Sequence, residues 1–172
     1  MRKHLRRAVS RLLKIAAVVI AVIVVFNLLF RVIFVDGESM MPTLENGDWI
    51  AACRPATVKR GDIVITNTNN VHHARLIKRV IAFGGETVDI DRETGTVYID
   101  GAALEEPYLA DKTIRGGDVS FPLTVPQGCV FLLGDNRQNS VDSRYQEIGC
   151  IPLEDIIGPV LVRLLPAPPD AL

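Results

Sequence analysis

The stretch Thr87–Asp100 reads TVDIDRETGTVYID. Apolar and polar residues alternate over Thr87–Ile90 and again over Thr96–Asp100, and the short loop Asp91–Gly95 between them contains a glycine. Period-two alternation puts every second side chain on one face of a strand, and two such runs joined by a Gly-bearing loop make a hairpin signature. Asp100-Gly101 begins the next turn. On either side, Ile63–Ile65, Leu76–Ala82 and Cys129–Leu133 are further short apolar or β-branched runs bounded by Gly, Pro or Asn. Leu161–Leu165 reads as a last strand, followed by a tail over 167–172 expected to be loose. There is no series of periodic helices, no internal repeat and no low-complexity block. The reading is a mostly β domain of barrel-like or sandwich character.

The chain has 172 residues, enough for one domain with a real core. At 48% hydrophobic and 23% charged it is not a disordered chain. A formal net charge of −1 argues against a nucleic-acid partner held by bulk charge. The charge is unevenly placed: residues 1–14 hold six basic residues (Arg2, Lys3, Arg6, Arg7, Arg11, Lys14) and no acid, and all 20 acidic residues follow from Asp36. Between these regions lies Ile15–Phe30, IAAVVIAVIVVFNLLF, with no charge and Asn27 as its one strongly polar side chain. Extended to Val35 it reaches the ~20 residues that cross a hydrocarbon layer. A buried core helix would be shorter or carry a polar stripe. A cleavable signal peptide would have a shorter apolar centre and an Ala-x-Ala step, which NLLFRVIFVDGES lacks. The expected organisation is a basic cytoplasmic N-terminus (1–14), a transmembrane anchor (15–35), an extracytoplasmic catalytic domain (36–166) and the tail (167–172). Asn27 and Arg31 are expected to snorkel to the interface.

Cys53, Cys129 and Cys150 are an odd number, so at least one stays unpaired in a monomer, and without a CxxC they do not suggest zinc. His72-His73 reads as a solvated loop pair rather than a metal site, since strand neighbours face opposite ways.

Three stretches carry chemistry. Val35–Leu44, VDGESMMPTL, places Ser39 a few residues past the apolar run, although taken alone it reads as a turn. Leu76–Ala82, LIKRVIA, puts two cations inside a run built for a sheet, and on a strand Lys78 and Arg79 face opposite sides. Gly134–Arg144, GDNRQNSVDSR, has nine polar or charged residues of eleven, so it needs its own hydrogen-bond network if it is buried. A serine hydroxyl needs a base to become a nucleophile. A lysine serves if burial removes its proton, which at an ordinary pKa near 10.4 costs roughly 4 kcal/mol at pH 7.5. Arg79 cannot serve, because a guanidinium stays protonated. The candidate base is Lys78.

Together these stretches, with the anchor, Gly47-Asp48 and Arg60–Val64, resemble the type I signal peptidases, the membrane-anchored Ser/Lys proteases of family S26. The likeness covers nearly the whole chain, and the Gly134–Arg144 motif is its most specific part. By matching positions it implies Ser39 as nucleophile and, through its backbone N–H, oxyanion-hole donor. It implies Lys78 as general base, and Ser140 as the hydroxyl that orients the lysine amine. Asp135, Asp142, Arg144 and Arg79 match supporting polar residues. Met40 and Gly37 match the substrate-binding region, with Met40 and its apolar neighbours lining the cleft and touching lipid. The implied fold is a coiled, mostly β sheet behind one transmembrane helix, and no metal or organic cofactor is implied. One departure stands out. Some members, mainly Gram-negative, have a serine where this chain has Gly37, and its hydroxyl adds to the oxyanion hole. The single anchor and short catalytic part resemble the compact Gram-positive type.

The resemblance implies removal of signal peptides from exported pre-proteins, with cleavage after small residues at −1 and −3. The expected partners are those pre-proteins and the lipid bilayer, and nothing in the sequence demands more than a monomer. Two competing readings are a dedicated pilin- or conjugation-type processing peptidase and a non-catalytic export scaffold. The presence of Ser39, Lys78 and Ser140 argues against the scaffold. The self-cleaving SOS repressors share the Ser/Lys logic, but they lack an anchor and carry a DNA-binding region absent here.

Overall fold

The computed structural model describes residues 2–54, 56–67, 74–113 and 116–166, with side chains from residue 9 onward. His72, His73 and the tail 167–172 lie outside the described residues. Helix α1 runs Arg2–Leu29. Its segment Val9–Leu29, 21 residues of mean hydropathy 2.8, is not buried within the protein. At 1.5 Å per residue it extends about 31 Å, so it is long and apolar enough to cross a membrane. Asn27 Nδ2 donates to the Ile23 carbonyl one turn back (2.8 Å), which gives the amide a partner within the helix.

The helix ends at Leu29, short of the Val35 expected for the anchor. Phe30–Phe34 instead forms strand β1, paired antiparallel with β2 (Trp49–Cys53) from Phe30↔Cys53 to Phe34↔Trp49. The sequence FRVIF is apolar enough for either fate, and pairing with β2 decides it. The other strands are β3 (Ile63–Thr66), β4 (Ile77–Phe83), β5 (Thr87–Ile90), β6 (Val97–Ile99), β7 (Ala102–Ala103), β8 (Leu123–Thr124), β9 (Cys129–Leu133), β10 (Ile151–Pro152) and β11 (Ile156–Leu165). The hairpin expected at Thr87–Asp100 is β5–β6, with Val88↔Ile99 and Ile90↔Val97 in register.

The protein is mostly β. A seven-stranded sheet has the order β1-β2-β11-β3-β4-β9-β10, and a four-stranded sheet has β7-β6-β5-β8. The long strand β11, which begins five residues before the expected Leu161, pairs with β3 through Ile156–Pro159 and with β2 through Val160–Leu165. Three register shifts along it let one strand turn a corner and join the two parts of the large sheet. At Gly158 a β-carbon would overlap the Cys53 carbonyl oxygen, so the corner needs glycine.

One apolar core lies between the small sheet and strands β4 and β9, built from Ile81, Val88, Ile90, Val97, Phe131 and Leu133. A second gathers Val35, Met40, Leu44, Ile50, Ala52 and Ile65. Val35, Met40 and Leu44 belong to the loop between β1 and β2, so this second core anchors the segment that carries Ser39.

Candidate active site

Ser39 lies at the tip of the β1–β2 loop. Backbone bonds Met41 N–H to Glu38 O (3.1 Å) and Leu44 N–H to Met40 O (2.9 Å) tighten the loop, and Val35, Met40 and Leu44 bury its inner side. Met40 is only 1% exposed and does not line the cleft expected of it. A residue that pins the loop to the core cannot also face solvent, and Met41, at 38% exposure, takes the outward position. Gly37 has φ +100°, a left-handed conformation that strains any residue with a β-carbon. Its N–H donates to Asn46 Oδ1 (2.9 Å).

Lys78 comes from β4, opposite Val64 of β3. Its side chain is buried, and Nζ stands 2.7 Å from Ser39 Oγ and donates to the Ile77 carbonyl (3.0 Å). Burial pulls the amine from its ordinary 10.5 down to about 8. The charge of Asp142 opposes the shift and that of Arg144 assists it.

Arg79 turns to the other face of β4. It meets Asp135 through two bonds, Nε to Oδ1 (2.8 Å) and Nη2 to Oδ2 (2.5 Å), donates to Gly61 O (2.6 Å), and stacks 3.8 Å above the Tyr108 ring centroid. Thr43 Oγ1 donates to the same carboxylate (2.5 Å). Asp135 therefore ties β4 to the serine loop.

The segment Gly134–Arg144 folds against the end of β9 and carries the network its polarity demands. Arg144 Nε and Nη2 donate to the two oxygens of Asp142 (2.8 and 2.9 Å), and Gly134 N–H donates to Asp142 Oδ2 (3.0 Å). Among the described residues no buried side-chain nitrogen or oxygen lacks a partner. Ser140 departs from its expected role. Its hydroxyl donates to Asp142 Oδ2 (2.7 Å), while the Lys78 amine is held by Ser39 and the Ile77 carbonyl. A carboxylate is the stronger acceptor for that proton. Gly134 admits no side chain, since a β-carbon there would overlap the Ser140 hydroxyl and crowd the Ser39 carbonyl oxygen.

Several contributing residues escaped the sequence reading. Asn136 holds the serine loop through its N–H to Ser39 O (3.0 Å) and its Nδ2 to Glu38 O (3.1 Å), and Asn139 Nδ2 reaches Glu38 Oε2 (3.2 Å). Buried Arg137 binds both oxygens of Glu106 (3.1 and 2.5 Å), Thr113 Oγ1 (2.6 Å) and Gly134 O (3.0 Å). Tyr108 donates to Glu106 Oε1 (2.9 Å). Asn136, Arg137 and Asn139 lie within the polar motif and were open to inspection there. Glu106, Tyr108 and Thr113 sit in a stretch without pattern, and only the fold reveals them. A cleft of about 190 Å³ opens beside Met41 and Asn136, lined also by Pro42, Ala110, Asp111, Asp135 and Arg137.

A buried lysine within hydrogen-bond distance of a loop serine is an arrangement that makes a hydroxyl nucleophilic. Comparison with known proteins gives the family. The family described as Signal peptidase, peptidase S26 matches residues 8–165. Signal peptidase I S of Bacillus subtilis is 39% identical over 159 residues, covering 83% of this chain and 82% of that protein. Signal peptidase I of Bacillus amyloliquefaciens is 38% identical over 159 residues, covering 83% and 79%. A crystal structure of a signal peptidase I from Enterococcus faecalis superposes with a TM-score of 0.49 at 33% identity, over 62% of this chain and 98% of that one.

Proposed function

The chain belongs to the signal peptidase family S26 and is a serine endopeptidase of the signal peptidase I kind, and from that premise we propose that Ser39 and Lys78 carry out the cleavage of signal peptides. The observation that carries this reading is the 2.7 Å separation of Lys78 Nζ and Ser39 Oγ, with the amine buried and its pKa drawn down to about 8. Near that pH a large fraction of the amine is neutral and accepts the serine proton as Oγ attacks the scissile carbonyl. The Ser39 N–H has no protein acceptor among the described residues and is available to the developing oxyanion. Lys78 passes its proton to the departing amine as the peptide bond breaks, leaving an acyl-enzyme. It then takes a proton from water, whose oxygen attacks the ester, and returning that proton to Ser39 Oγ releases the acid product.

Supporting roles follow the bonds. Asp142, held by Arg144 and Ser140, sets the charge around Lys78. Asp135 and Arg79 fix the serine loop to β4. Gly37 and Met41 border the substrate path, which accepts an extended segment with small residues at −1 and −3. Helix α1 anchors the enzyme in the membrane. Its basic N-terminal flank faces the cytoplasm, the domain over 36–166 lies outside, and the apolar rim rests on lipid. The enzyme works as a monomer.

The test is cleavage of a signal-bearing pre-protein in detergent and lipid, with Ser39→Ala and Lys78→Ala alongside and the cut located by mass spectrometry. A cut after an Ala-x-Ala-like site, lost in both variants, is expected. Absence of cutting by folded protein across several pre-proteins would overturn the reading in favour of a dedicated processing peptidase or a scaffold.

A further inference from the structure

Where α1 meets the β domain, a cleft of about 260 Å³ is lined by Arg31, Arg54, Arg75, Glu154 and Asp155. Arg31 is the second residue past the helix. The backbone N–H of Arg54 donates to the carbonyl of Leu29, the last helical residue (2.9 Å). Arg75 approaches from the turn before β4. Elsewhere Arg60, Arg79, Arg137, Arg144 and Arg163 each face a carboxylate within ion-pair distance. None of the three cleft arginines makes an ion pair among the described residues, although all border one cavity.

We propose that this cleft binds the phosphodiester of an anionic phospholipid headgroup. Three guanidiniums against two carboxylates leave one positive charge, which a phosphodiester neutralises. The planar donor fork of arginine suits phosphate oxygens better than a point charge does. Position selects lipid over a soluble phosphate, because Arg31 and Arg54 sit at the exit of a helix of membrane-spanning length, at the headgroup level. Glu154 supplies an acceptor for a headgroup hydroxyl, which favours glycerol over choline. The inference rests on α1 being the membrane span.

Native mass spectrometry of the full chain, released from micelles containing equal amounts of phosphatidylglycerol and phosphatidylcholine, reads out retained lipid. The wild type is expected to keep phosphatidylglycerol in preference. The double variant Arg54→Gln/Arg75→Gln should lose about tenfold in that preference, and Arg54→Lys/Arg75→Lys should lose less. Equal retention of the two lipids, or a preference unchanged in the glutamine variant, would overturn the proposal. So would displacement of lipid by millimolar glycerol 3-phosphate, which would make the cleft a soluble-phosphate site. Pre-protein cleavage in detergent by the same preparations should be unaffected by the substitutions and monitors folding. If cleavage fails in the wild type as well, the peptidase reading is at fault, and lipid retention still judges the cleft by itself.

Discussion

Lys78 and Arg79 are consecutive, cationic and buried, and they stand on the same central strand, yet they live in opposite electrostatic circumstances. Arg79 has a carboxylate of its own, bonded twice, and a carbonyl and an aromatic ring besides. Lys78 has a neutral hydroxyl and a carbonyl, with Asp142 acting at a distance and that carboxylate already committed to Arg144. Burial with a bonded counter-charge keeps a cation charged and structural. Burial without one lowers the pKa and makes the proton easier to give up. The strand supplies both because its two faces open on different surroundings.

The comparison breaks most visibly at Lys78. Lys78→Met should reduce cleavage by about 10³-fold or more, in line with loss of a general base, while circular dichroism reports an intact fold. Lys78→Arg should be equally inactive, since a guanidinium holds its proton. On the other face, Arg79→Met leaves the Asp135 carboxylate buried without its counter-charge. It should cost about 3–5 kcal/mol in a denaturant titration in detergent, and loss of activity should track loss of folded protein.

Stability against pH sharpens the contrast. The folded-state pKa of Lys78, about 8, lies below its ordinary 10.5, so between those values the unfolded chain binds more protons and stability rises with pH. Below pH 8 the penalty of burying the amine is at its full size, about 3 kcal/mol. Lys78→Met should therefore be more stable than wild type near pH 7, by up to that amount. The advantage should shrink from pH 8 upward and vanish above 10.5. Cleavage by the wild type should follow the same group, with kcat/KM rising about tenfold per pH unit below 8 and levelling above it. An acid limb centred well below 7 would contradict the assignment. The smallest effect is expected at Tyr108, where Phe removes the bond to Glu106 and leaves the ring over Arg79. A loss of about 1 kcal/mol in stability, with kcat unchanged, would place that tyrosine on the structural face.

Much of this division was legible in the sequence, because it rests on local pattern. Two cations adjacent in a β-branched run must part to opposite faces, TVDIDRETGTVYID alternates into a hairpin, and a segment as polar as GDNRQNSVDSR must bond itself if buried. The readings that failed depended on distant partners. FRVIF became β1 because Trp49–Cys53 lies beside it, not because of anything in its own composition. Met40 and Met41 are chemically identical, and only the position of Ile50, Ala52 and Ile65 decides which of them is inside. Ser140 was expected on the lysine amine, and the placement of Asp142 gives its hydroxyl a carboxylate instead. The link from Arg137 to Glu106 joins segments with no common motif.

The order of the large sheet carries a consequence for the timing of biosynthesis. The serine loop hangs between β1 and β2 and the lysine sits on β4, but the strand that lies between β2 and β3 is β11, the last in chain order among the described residues. Until Ile156–Leu165 has left the ribosome and inserted, the half holding the hydroxyl and the half holding the amine share no continuous hydrogen-bonded ladder. A chain that lacks Ile156–Leu165 lacks the strand that joins those halves. Apart from the bonds through Thr43 and Asn136, the backbone joining of the serine half to the lysine half waits on this late strand.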